Sequence, residues 1–137
     1  MFEFRFESGS GVPPYLQLVR QVEDAVRLGE LRRGEQLPTV KEVARRLVVN
    51  PNTVQKAYRE LDRRGVVRAK PGQGTFVTRE AGGVSPERRT QLRASLARWL
   101  TEARAAGLAA EDVEALVSAV LREHRGDGNP RSGKENE

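Results

Sequence analysis

A mainly α-helical fold carrying one small β-hairpin, with two more helices behind it, is what this sequence predicts. Three observations predict it. Apolar residues recur at i, i+3, i+4 spacing in five separate stretches. Glycine, proline and cap residues fall between those stretches rather than inside them. Two β-prone runs flank Pro71-Gly72-Gln73-Gly74.

Each element follows in order. Phe2, Phe4 and Phe6 alternate with Glu3, Arg5 and Glu7, a period of two that predicts a short strand with one buried face. A helix is expected from Pro14 to Leu28, with Tyr15, Leu18, Val19, Val22, Ala25 and Val26 on its apolar face and Gly29 as its stop. The stretch "ELRRGEQLPT" reads as a connector. Thr39 and Glu42 have the spacing of a capping box, which opens a short helix over Val40–Leu47. A three-residue turn, Val48-Val49-Asn50, leads to the third helix. Asn50 is its cap, Pro51 its first residue and Gly65 its end. Val66 to Lys70 and Thr75 to Thr78 then pair as a hairpin, because Pro followed by Gly suits a turn that needs positive φ at its third position. After "REAGGVS", a long helix opens at Ser85-Pro86 with Leu92, Leu96, Trp99, Leu100 and Ala103 on one face. Beyond Gly107, Val113, Leu116, Val117, Val120 and Leu121 give a second amphipathic helix ending near His124. The closing "GDGNPRSGKENE" contains no large apolar residue and is expected to be disordered.

The resulting division is residues 1–80 as one domain, 81–85 as a linker, 86–125 as a two-helix region and 126–137 as a tail. With 137 residues and 31% charged side chains, the chain suits one small soluble domain with an appendage. No apolar run approaches the roughly 18 residues of a membrane span. The N-terminus lacks a basic-then-apolar export pattern, so a cytoplasmic location and no membrane contact are expected. Zero Cys excludes disulfides and thiolate metal sites.

The net charge of +5 is unevenly spread. Residues 41–79 hold 10 Lys/Arg against 3 Asp/Glu, or +7, whereas residues 81–137 are neutral with 9 of each. A localised cationic block is the electrostatic footprint expected for a polyanion partner. A solvated basic surface is the plainer reading of charge alone.

The third helix discriminates. Burying Val54, Ala57, Tyr58 and Leu61 leaves Asn52, Thr53, Gln55, Lys56 and Arg59 facing outward. Helix, tight turn and helix, followed by a hairpin, form a helix-turn-helix with a wing. Such a motif lays its second helix in the DNA major groove. Asn and Gln can pair with adenine there, and Lys and Arg with guanine. Amide groups at the helix start would favour phosphate oxygens. A polar helix face is ordinary in itself. Its position between a capped short helix and a Gly-rich basic hairpin gives it weight.

Residues 29–77 resemble the winged helix-turn-helix domain of the GntR family of bacterial transcription regulators. The stretches "LPTVKEVA", "VNPNTVQKAYREL" and "PGQGTFV" carry the resemblance, in the family's order and spacing. The "NPNTV" and the short remainder look most like the YtrA subfamily, where about two helices replace a larger effector domain. Carried over by position, the resemblance implies a phosphate contact at Lys41 and base and backbone contacts at Pro51, Asn52, Thr53 and Gln55. It implies a wing reaching the minor groove at Gly72, with Gln73 and Gly74 beside it. Arg45, Lys56, Arg59 and Arg68 complete the expected contact set. Val48 stands where the family turn commonly has Gly, so a slightly altered turn or a β-region Val48 is expected.

The last two helices cannot readily enclose a ligand pocket, and one stripe covers only part of the other. The remainder would bury best against a second copy through Leu92, Leu96, Trp99, Leu100, Leu116, Val117 and Val120. The expected function is therefore a homodimeric, sequence-specific DNA-binding regulator. Steric repression at an inverted repeat is its simplest output, and control of a neighbouring transporter operon is implied by the resemblance. The alternative is a winged-helix protein- or RNA-interaction module. No catalytic constellation appears, and neither enzyme activity, cofactor nor metal is expected. The sequence leaves a small-molecule effector open.

Overall fold

A computed structural model describes residues 2–7 and 9–127, apart from the side chain of Asp127. The element order is α1 (Pro14–Arg27), α2 (Val40–Leu47), α3 (Pro51–Arg63), β1 (Val67–Lys70), β2 (Gly74–Val77), α4 (Pro86–Ala105) and α5 (Ala110–Asp127). The chain divides into two units, residues 1–86 and 87–137. Most of the expected tail, residues 128–137, lies outside the described residues. Residues 126 and 127, expected in that tail, belong to α5 instead.

The first unit is built on α3. Val54, Ala57 and Leu61 are fully buried and Tyr58 nearly so. They meet Leu18, Val19, Val22 and Val26 of α1, Val43 and Ala44 of α2, and Val66, Val67 and Val77 around the hairpin in one core. The i, i+3, i+4, i+7 spacing puts all four α3 residues on one stripe. The Tyr58 hydroxyl donates to the Pro38 carbonyl. Burial, and then the Glu42 charge, raise its pKa above the usual tyrosine range.

The N-terminal phenylalanines depart from expectation. Phe4 is buried and packs against Phe2 and Tyr58, but residues 2–7 form no strand. Their extended backbone bonds to side-chain amides of α1. Arg5 N–H donates to Gln21 Oε1 at 2.8 Å and Glu7 N–H to Gln17 Oε1 at 2.9 Å. Period two thus reports an extended segment with one apolar face, not a sheet partner.

The connector before α2 is more ordered than its turn residues suggest. Leu37 N–H donates to the Thr75 carbonyl and Val77 N–H to the Glu35 carbonyl, both at 2.8 Å. Gln36 faces Phe76 in an isolated antiparallel bridge. The two-stranded hairpin, with Val67 opposite Val77 and Lys70 opposite Gly74, therefore gains a third backbone partner on its β2 edge.

The turn between α2 and α3 also differs. Val48 adopts the left-handed conformation, φ 54° and ψ 54°, rather than either expected alternative, an altered turn or a β-region residue. The turn keeps the geometry glycine would give, and a β-branched residue bears the strain. The Val48 and Val49 N–H groups both donate to the Ala44 carbonyl, closing the helix end.

In the second unit, Ala103 is the one buried residue of α4, and no described side chain of α5 is buried. Leu92, Leu96, Leu100, Leu116, Val117, Val120 and Leu121 are exposed, Leu96 to 59%, and Trp99 is half-buried. Within the described residues the two stripes are thus covered only in part.

Val48 is 89% exposed, so removing its side chain sacrifices no core packing. Val48→Gly should stabilise the chain by about 1 kcal/mol, enough to raise the thermal unfolding midpoint by a few degrees. An equal or lower midpoint would contradict strain at this position.

Candidate nucleic-acid interface

The polar start of α3 is shaped by its cap. Asn50 Oδ1 accepts from Asn52 N–H at 2.8 Å, and the Asn50 carbonyl accepts from Thr53 N–H at 3.0 Å. Pro51 has no N–H to offer. The expected amide site for phosphate is thus already engaged by Asn50, and this helix start presents side chains rather than N–H groups. Pro51, Asn52, Gln55, Lys56 and Arg59 are exposed and Thr53 is half-exposed. Pointing outward requires no special device: it is what remains once Val54, Ala57, Tyr58 and Leu61 are buried.

Thr39 Oγ1 accepts from Glu42 N–H at 3.1 Å, fixing the first turn of α2. Lys41 stands in that turn and Arg45 one turn on, both exposed. On the hairpin, Arg68 is exposed opposite Phe76. Gly72 has φ 75°, as the third position of its turn requires, and Gln73 N–H closes the turn on the Lys70 carbonyl at 2.9 Å. A groove between the outer side of α3 and the hairpin is lined by Gln55, Arg59 and Asp62 on one wall and Ala69 and Thr75 on the other. Asp62 Oδ2 accepts from Ala69 N–H across it. Helix and hairpin are thereby joined along one face.

The cations of this block divide by what they touch. Arg63 and Arg64 both bond to Glu60, and Arg64 also reaches Glu23 of α1, tying α3 to α1. Arg46 pairs with Glu3 at 3.6 Å in the open. Lys70 lies 5.0 Å from the Phe76 ring centre. Among the described residues, Lys41, Arg45, Arg59 and Arg68 have no ion-pair partner. The available positive charge therefore sits on the exposed sides of α2, α3 and β1.

Two contacts escape sequence reasoning. Lys56 places its ammonium 4.1 Å from the centre of the Tyr15 ring, so α1 supports a side chain of the polar α3 face. The spacing of Tyr15 indicates only an apolar face, and cation–π partners on separate helices leave no local pattern. Gln36 Nε2 donates to the Gln73 carbonyl at 3.1 Å, linking the connector to the hairpin tip across 37 residues.

Comparison with known proteins bears on this arrangement. The family described as "Bacterial regulatory proteins, gntR family" matches residues 14–77, from the start of α1 to the end of the hairpin. The HTH-type transcriptional repressor YtrA of Bacillus subtilis (strain 168) is 30% identical over 118 residues, covering 85% of this chain and 91% of that protein. Among solved structures, a protein described as a transcriptional antiterminator from Listeria monocytogenes EGD-e superposes with a TM-score of 0.58 at 31% identity, covering 88% of this chain and 90% of its own. YtrA from Sulfolobus acidocaldarius, described as a GntR-family transcription factor, superposes with a TM-score of 0.53 at 30% identity, covering 73% and 99%.

The charge network behind α3 has a pH signature. Hydrogen bonds from Arg63 and then Arg64 hold the Glu60 carboxyl at about 2, below its ordinary 4.5. A depressed carboxyl stabilises the fold above its unfolded pKa, and that contribution fades as pH falls from 4.5 toward 2. Glu60→Gln should be less stable than wild type at pH 7 and should lose less on acidification. Unfolding midpoints at pH 7, 4.5 and 2.5 check this. Parallel profiles would contradict it.

Proposed function

The chain belongs to the GntR family of bacterial regulatory proteins, and on that premise we propose that it is a sequence-specific DNA-binding transcriptional regulator, acting as a homodimeric repressor. The observation that carries this reading is the two-sided character of α3. Its inner stripe is buried, while Asn52, Gln55, Lys56 and Arg59 stand exposed beside a wing. In the proposed mechanism this face enters the major groove, where Asn52 and Gln55 can meet base edges. Lys41, Arg45 and Arg68 are the positioning contacts to phosphates on the flanks. The turn at Gly72 and Gln73 approaches the neighbouring minor groove.

The exposed stripes of α4 and α5 support the second half of the proposal. An exposed row of leucines and valines is costly in a single copy and is removed by pairing with another. Two α3 helices related by a two-fold axis would read an inverted repeat with half-sites spaced to match the helical repeat of DNA. Occupying such an operator obstructs transcription without any catalytic part. A cytoplasmic location and control of a nearby transporter operon belong to the same proposal. No described helix is long and apolar enough to cross a membrane.

An RNA-binding role finds little support in the aromatic residues. The Tyr58 ring is buried and its hydroxyl is engaged, and the Phe76 ring carries Lys70. Neither offers an open stacking surface.

Gel shifts with duplexes selected from a random pool, at two salt concentrations, test the DNA reading. Binding should weaken steeply with salt. Lys41→Ala should weaken all sequences alike, whereas Gln55→Ala should relax the preference at one base by about 1–3 kcal/mol. No effect of either substitution would contradict the docking. For the dimer, size exclusion with light scattering should give twice the 15.2 kDa chain mass at micromolar concentration. A monomer there would contradict it.

A further inference from the structure

The wing tip is held by more than its own turn. A hairpin of two four-residue strands is a marginal structure in water without further support. Its turn closes through a bond from Gln73 N–H to the Lys70 carbonyl. The Gln73 carbonyl, in the next peptide plane, accepts from Gln36 Nε2.

Gln36 is itself rigidly based. The carbonyl of its neighbour Glu35 accepts from Val77 N–H, and the N–H of its neighbour Leu37 donates to the Thr75 carbonyl. Its side chain lies over Gly74. A Cβ at Gly74 would stand 2.3 Å from Gln36 Nε2 and 3.2 Å from its Cδ. Any side chain there would expel the glutamine, and φ 132° at Gly74 independently favours glycine. The absent side chain of Gly74 therefore makes room for Gln36.

We infer that Gln36 is a positioning residue for the wing, fixing the Gly72-Gln73 tip relative to α3 so that both reach one duplex in register. The tether matters because the segment bearing Gln36 leads directly into α2. Pro38, two residues on, accepts from the Tyr58 hydroxyl of α3. Wing tip, connector and α3 are thus joined by two side-chain hydrogen bonds, and a fixed tip avoids the ordering cost that a loose one would incur on binding.

The inference rests on the DNA reading, and its test separates the two. Gln36→Met keeps the length of the side chain and removes the donor. Because Gln36 is exposed, the variant should fold like wild type. In the DNA-free 137-residue chain, ¹⁵N relaxation should show the Gly72 and Gln73 amides as ordered as the strands in wild type, and less ordered in Gln36→Met. On a selected duplex the variant should bind about fivefold more weakly, the scale of one lost hydrogen bond. It should lose hydroxyl-radical protection in the minor groove while keeping guanine N7 protection in the major groove. A wild-type chain that protects neither groove would overturn the DNA reading itself. Where wild type does protect both, unchanged wing-tip relaxation, or joint loss of both protections in the variant, would overturn the role of Gln36.

Discussion

Burial of one stripe of α3 is the constraint on which the rest depends. Val54, Ala57 and Leu61 admit no solvent and Tyr58 almost none. With about 100° of rotation per residue, these four positions fix the helix about its own axis. Turning it by a single residue would bring Gln55 or Asp62 into the core and expose a leucine or valine. The outward set is therefore dictated by the inward one, and the polar face needs no support beyond the core. The same stripe reaches further through Tyr58, whose hydroxyl ties α3 to Pro38, and so to the connector that borders the hairpin.

Charge serves two ends in this unit. Glu60 and Glu23 gather Arg63 and Arg64 at the far end of α3 and link it to α1. These arginines raise the formal charge of the block, yet each already has a carboxylate. Among the described residues, Lys41, Arg45, Arg59 and Arg68 stand without one, exposed on α2, α3 and β1. Lys56 is a third kind, cationic and exposed yet resting on Tyr15, so its ammonium is placed before any ligand arrives.

Helical elements were legible because their signals are local. The stripe of α1, the Thr39 cap of α2, and the Asn50 cap with Pro51 in α3 all reappear at or within a residue of their expected places. The hairpin was legible from Pro71-Gly72. Long-range partners were not. Alternation of the phenylalanines records a one-sided environment and cannot tell a β ladder from the amides of Gln17 and Gln21. The pairing of residues 35–37 with β2 and the reach of Gln36 over Gly74 depend on residues nearly forty positions apart. Neither alternative that the side chain of Val48 suggests, an altered turn or a β-region conformation, is taken: closure of the α2 end holds Val48 in the left-handed conformation. Exposure of the proposed contact residues followed from periodicity, but which cations were already paired did not.

Mapping amide shifts of the isotope-labelled chain on titration with a selected duplex tests the orientation of α3 most directly. The largest changes should fall on Asn52, Thr53, Gln55, Lys56 and residues 72–74, with the buried stripe of Val54, Ala57, Tyr58 and Leu61 moving little. Changes concentrated on α4 and α5, with the start of α3 unaffected by a duplex that binds, would contradict the account.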